Sequence, residues 1–356
     1  MGESLFGSPQ PELEPGARNA VEVCLAIARS ERVALVADEA SAPVAASLAA
    51  ALDRVGARWD GVVIERVAPR PMASAPAPVL DVLERADAGI LCVQPREGEL
   101  GSRMEIVSVV ERRQIRYAHM IGVTPRIMCE GMRADYRLVD QLSDRLCERM
   151  RCARRLRVES PSGTSFVATF NPAWAWVKTS GLISRRYWSN LPAGEVFTTP
   201  ASVDGVFVCD GTAGDYFGAK YGDLRATPLT LEIAGGRLRG ASCARRDLER
   251  EFWSYCHADG ESSRVGELAF GTNIALAEMI GVLLQDEKVP GVHIAFGDPY
   301  GSQTGAPWKS RTHVDVLTRL CDVWIDDDQV IERGRYLLER LGLTYNAEPA
   351  ELADHS

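Results

Sequence analysis

Histidine is scarce in this chain, with five in 356 residues. Paired cysteines are missing as well. The nine cysteines are scattered, odd in number and form no CxxC, which speaks against a disulfide framework or a thiolate zinc site and for the reduced thiols of a cytoplasmic protein. No apolar run approaches the ~20 residues of a membrane span. The first sixteen residues, MGESLFGSPQPELEPG, are polar and rich in Pro and Gly. They lack the apolar core of a secretion signal and are read as a flexible arm. Neither GxGxxG nor GxxxxGK[ST] follows the early strands, so nothing points to a dinucleotide or a nucleoside triphosphate. Basic excess is absent too. The net charge of −9 disfavours a nucleic-acid partner, since phosphate binding wants a basic surface.

What is present is an ordinary globular composition, 46% apolar and 25% charged. A chain of this length buries a large core without staples, so a metal here serves chemistry rather than folding. Two domains are expected. In residues 17–155, short apolar runs at 33–36, 62–64, 88–93 and 116–123 alternate with helical periodicity at 17–30, 42–55, 79–85, 104–112 and 136–150. That alternation predicts an α/β domain with an open, mostly parallel sheet. From 156 to 345 the texture is mixed α+β. Hairpins are expected around Pro161-Ser162-Gly163, around Gly235-Gly236 and around Asp326-Asp327-Asp328, with a helix over 245–255. Residues 346–356 read as a flexible tail.

Two of the few histidines lie 20 residues apart in the last quarter, in His293-Ile294-Ala295-Phe296-Gly297-Asp298-Pro299-Tyr300 and in His313-Val314-Asp315. On a strand, residues i and i+2 point to the same side, so His313 and Asp315 present an imidazole and a carboxylate to one point, a natural pair for a divalent metal. Upstream, Glu195 in LPAGEVFTTP and Glu267 in VGELAFG sit in apolar, Gly-rich settings. A buried carboxylate there needs a cation or a strong hydrogen-bond set. Together these residues form a hard oxygen and imidazole ligand set.

The order NLPAGEVFTTP, VGELAFG, DEKVPGVHIAFGDPYG, HVD and WIDD, spread over 190–335, resembles the thermophilic-type metallo-aminopeptidases, the aminopeptidase T and aminopeptidase S family. The resemblance implies an amide- or peptide-cleaving hydrolase with two divalent ions per chain (zinc, cobalt or manganese). Glu195, Glu267, His293, His313 and Asp315 would hold them. Tyr300 would donate to the oxyanion or bind metal weakly, and Glu195 or Glu267 would bridge the ions or act as base. The family also implies a homodimer. Lys309 and Arg311, in the compact loop before His313, are weaker candidates for holding a substrate carboxylate.

A second resemblance runs to the ring-opening 2,5-dihydroxypyridine dioxygenases, through His313, Asp315, Arg319, Cys321, Asp322 and Asp326-Asp327. Those enzymes use one ferrous ion held by two histidines and a carboxylate, with the "GE" glutamate replaced by histidine. This chain keeps Glu267 and Glu195, which favours the hydrolase over the iron enzyme. Asp286 or Glu287 offers support to a metal-bound imidazole or a turn role. His257 reads as a helix cap, Trp174 and Trp176 as core or cleft wall, and the run Arg149, Arg151, Arg154, Arg155, Arg157 as a solvated face.

Overall fold

The computed structural model describes residues 5–344. Its first strands are β1 Arg32–Ala37, β2 Arg58–Val63, β3 Ala88–Val93 and β4 Arg116–Ile121, then β5 Arg155–Glu159, β6 Ser165–Phe170, β7 Val177–Thr179, β8 Ser189–Asn190 and β9 Glu195–Thr198. They continue as β10 Pro200–Cys209, β11 Leu229–Ala234, β12 Arg237–Ser242, β13 Val265–Gly271, β14 Gly291–Gly297, β15 His313–Leu317, β16 Asp322–Ile325, β17 Asp328–Glu332 and β18 Arg335–Tyr336.

The first sheet has the order β2-β1-β3-β4-β8 and all its pairings are parallel. β3, AGILCV, is buried at every position, as a central strand covered on both faces must be. The helix Ala42–Val55 covers one face through Ala45, Leu48 and Leu52. Helices Ala77–Glu84 and Leu100–Arg113 cover the other through Val79, Leu83, Ile106 and Val110. The topology reverses between β1 and β3, where open α/β sheets usually bind ligands. Here the buried Arg70 fills that crevice, pairing with Asp38 at the end of β1 and with Glu99, both at 2.5 Å.

Two expectations are corrected. The arm packs from Leu5 onward: Phe6 is 5% exposed and Leu13 fully buried, because Phe6 stacks on Trp59 of β2 and the turn carrying Leu13 lies against the helices. The helix expected over 17–30 is a short α-helix, Glu14–Arg18, that runs into a π-helical stretch, Asn19–Cys24. The proposed tail, 346–356, lies outside the described residues.

The C-terminal part holds two antiparallel sheets, one ordered β12-β11-β10-β6-β5-β16-β17-β18 and the other β15-β14-β13-β9-β7. They face each other over one core that includes Phe207, Leu231, Phe270, Ile294, Phe296 and Val316. All three hairpins form where the turn residues place them. The helix Tyr136–Cys152 joins the two halves. Tyr136 and Val139 belong to the core of the parallel sheet, while Leu142, Leu146 and Met150 belong to the sandwich core. The division near residue 155 is crossed once more, since β8, from the C-terminal part, pairs with β4.

Candidate metal centre

The second antiparallel sheet explains the site through the two-residue period of a strand. In β9, Val196 enters the sandwich core and Glu195 takes the other face. In β13, Leu268 and Phe270 point in and Glu267 and Ala269 point out. In β14, Val292, Ile294 and Phe296 alternate with His293 and Ala295, and in β15 Val314 and Val316 alternate with His313 and Asp315. One face of the sheet therefore packs, and the other gathers carboxylates and imidazoles. Register completes the placement. Ala295 lies directly between Glu267 on β13 and Asp315 on β15, and its small side chain leaves room between the two acids.

The approach to Glu195 is fixed by backbone. β8 leads through residues 191–194 into β9, and Gly194 has φ +124°. A Cβ there would lie 2.8 Å from the backbone nitrogen of Asn273, so only glycine fits. The Asn273 side chain ties this turn down by donating to the carbonyls of Ala193 (3.0 Å) and Gly131 (3.1 Å).

Glu195, Glu267, His293, His313 and Asp315 are all brought together. Among the described residues three ligand groups form: Glu195–Glu267–His293, Glu267–His313–Asp315 and Glu287–His293–Asp315. The first two share Glu267, as a carboxylate bridging two neighbouring ions would. His313 Nδ1 lies 3.0 Å from the Asp298 carbonyl, which sets the tautomer that turns Nε2 toward the acids. That Nε2 is 3.5 Å from both Glu267 Oε2 and Asp315 Oδ1. His293 Nε2 is buried without a hydrogen-bond partner, yet stands 3.1 Å from Glu195 Oε1 and 4.0 Å from Asp315 Oδ1. An orphaned ring nitrogen facing acceptors fits a divalent cation.

The electrostatics of the bare cluster agree. Burial, reinforced by the charge of Glu195, pushes Glu267 up to about 8. Burial likewise raises Glu287 to about 7. Burial opposes ionisation of Glu195 too, but Lys288 and His293 outweigh it and hold this carboxyl down at about 2. Burial disfavours charged imidazoles, yet the surrounding carboxylates prevail, raising His293 to about 9 and His313 to about 10. Two of the crowded acids, Glu267 and Glu287, thus hold protons more tightly than free carboxylates, as acids do where negative charge is gathered in a buried site.

Tyr300 stands at the rim, 40% exposed. Its ring packs 4.6 Å from the His313 ring and 6.0 Å from Phe197, and its backbone is left-handed, φ 50°. Arg311 is brought elsewhere: it donates to the Ala258 carbonyl at 2.8 Å and is 80% exposed. Lys309 is exposed on the same loop. Of the two acids before His293, Glu287 enters the cluster. Asp286 instead accepts from Thr212 Oγ1 and from the backbone of Ile280 and Gly281. Lys288 escaped the sequence reading, although the run Asp-Glu-Lys just before a buried strand was its signal. The bland readings elsewhere match the structure. His257 Nδ1 meets the Trp253 carbonyl at a helix end. Trp176 packs on Phe270 and Trp174 on Trp308. Arg149 and Arg155 pair with Asp328 and Asp327 of the acidic turn.

Comparison with known proteins places this geometry. By sequence the chain is 24% identical over 192 residues to 2,5-dihydroxypyridine 5,6-dioxygenase of Pseudomonas putida (strain KT2440), an alignment covering 51% of this chain and 54% of that enzyme. The chain thus spans about half the length of that relative. By structure it resembles 2,5-dihydroxypyridine dioxygenase from Pseudomonas putida KT2440, with TM-score 0.68 and 17% identity, covering 94% of this chain and 100% of the other. It also resembles wild-type AmpT from Thermus thermophilus, with TM-score 0.66 and 18% identity, covering 92% and 99%. At these identities both structural likenesses speak for the fold alone. Among the described residues no helix is long and apolar enough to cross a membrane. Residues 116–316, more than half of the chain, match the thermophilic metalloprotease (M29) family, and that stretch carries every residue of the cluster, so the chain belongs to this family.

Proposed function

We propose that this protein is a metal-dependent hydrolase of the aminopeptidase type, cleaving a peptide or small-molecule amide bond with an activated water. The observation that carries this reading is the pair of ligand groups sharing Glu267 on one sheet face. A bound divalent ion supplies Lewis acidity there, polarising an amide carbonyl and acidifying water. The chain's own groups supply the rest. Glu195, with its low proton affinity, serves as an anchor rather than a base. Glu267 belongs to two ligand groups and would hold an ion in either of them. Glu287, whose carboxylate lies in the cluster beside His293 and Asp315, would take the proton from the attacking water and return it to the leaving amine. Tyr300, at the rim beside His313, donates its hydroxyl to the developing oxyanion.

A second reading has a specific motive, the curated relative named as a dioxygenase. In that case one ferrous ion would open a hydroxylated aromatic or pyridine ring. Aminoacyl 4-nitroanilides and small amides, assayed with zinc, manganese and cobalt before and after chelation, test the hydrolase. Chelator-sensitive release of amine is expected. Oxygen uptake with 2,5-dihydroxypyridine and ferrous ion, without amide cleavage, would replace the hydrolase with the oxygenase.

A further inference from the structure

The helix Leu283–Asp286 is followed directly by Glu287 and Lys288. The lysine side chain is 2% exposed and ends inside the acidic cluster. Its Nζ lies 2.7 Å from Glu195 Oε2 and 2.7 Å from Glu287 Oε1. A buried ammonium requires such partners, and its choice among four acids is selective. Glu195 belongs only to the ligand group with Glu267 and His293. Glu287 belongs only to the group with His293 and Asp315. Each group that uses His293 therefore contains a carboxylate already paired with the lysine. The group Glu267–His313–Asp315 contains none. It also has the oriented ring, His313, whose Nδ1 is held by Asp298.

We propose that this chain binds one divalent ion tightly, in the Glu267–His313–Asp315 group, and that the Lys288 ammonium stands in for a second cation beside Glu195 and Glu287. The inference rests on the metal-centre reading above and decides its stoichiometry. An ion at His293 would share Glu195 with the ammonium, each cation on one carboxylate oxygen. Like charges so close in a buried site repel strongly. The ammonium already paired with Glu195 and Glu287 makes the His293 subsite the weak one, entered only against the lysine.

The test is isothermal titration of Mn²⁺, and separately of Zn²⁺, into the chelator-stripped full chain, with elemental analysis of the product. The wild type should show one tight equivalent, any second binding more than about tenfold more weakly. In Lys288→Gln the second equivalent should tighten to within about tenfold of the first. His313→Ala should lose the tight equivalent and His293→Ala should keep it, and this pair decides the matter should Lys288→Gln fail to fold. Two equivalents of equal affinity in the wild type would overturn the role of Lys288 while leaving the metal hydrolase standing. So would a tight equivalent kept in His313→Ala and lost in His293→Ala. A wild-type chain that takes up no ion would refute the metal centre itself, and this proposal with it.

Discussion

Replacing Ala295 with leucine tests the architecture of the site through a residue that is no ligand. Ala295 is fully buried and lies in register between Glu267 and Asp315. Directly opposed strand residues have their Cβ atoms about 4.5–5.5 Å apart on the same face, so three added carbons must occupy the space between the two acids. Overpacking a closed position costs about 1–3 kcal/mol, a fall of a few degrees in Tm. The larger effect falls on the ion. Disturbing the support of a ligand set alone lowers metal affinity about 10–100-fold, and filling the space should do at least as much. The neighbouring Ile294, in the sandwich core on the opposite face, provides the control. Ile294→Val should cost about 0.5–1.5 kcal/mol and leave ion affinity unchanged. Thermal scans and metal titrations of both variants measure each quantity. Ala295→Leu with wild-type affinity would show that the ion does not lie between Glu267 and Asp315.

His313→Ala should abolish metal uptake and amide cleavage together, and full activity at wild-type metal content would remove His313 from the centre. Arg70→Met leaves Asp38 and Glu99 buried and unpaired, a loss of about 3–5 kcal/mol that a urea midpoint would register. His119 sits beside Trp188 on β4, its charged form disfavoured by burial and then by Arg103, with a pKa held down at about 3. The sign follows from linkage. Above about pH 6.5 the ring is neutral folded and unfolded and contributes nothing. Below that value only the unfolded chain takes the proton, so stability drops by about 1.4 kcal/mol per pH unit, or about 2 kcal/mol at pH 5, until roughly pH 3. The change in stability from pH 7 to pH 5, read from urea midpoints, should lose about 2 kcal/mol of acid destabilisation in His119→Phe relative to the wild type, and an undiminished acid loss in that variant would count against the assignment.

Local pattern carried much of this protein in the sequence itself. Alternation of period two placed His313 with Asp315 on one face, and uniform burial of AGILCV marked a central parallel strand. Turn chemistry at Gly235-Gly236 and Asp326-Asp327-Asp328 set the hairpins. These are short-range constraints, written within a few residues. Misreadings arose where distant partners decide. The polar arm packs because Phe6 finds Trp59 on β2 and the turn carrying Leu13 meets helices as distant as Pro125–Cys129. Arg311 turns to the Ala258 carbonyl, more than fifty residues away. Lys288 looks like one charge in a polar run until Glu195, 93 residues upstream, closes on it. Sequence by itself determined the ligand types and their faces, since side-chain period is local. Only tertiary structure decided which carboxylates share an imidazole and which share an ammonium, because those pairings depend on the register of β9, β13, β14 and β15, which no single segment contains.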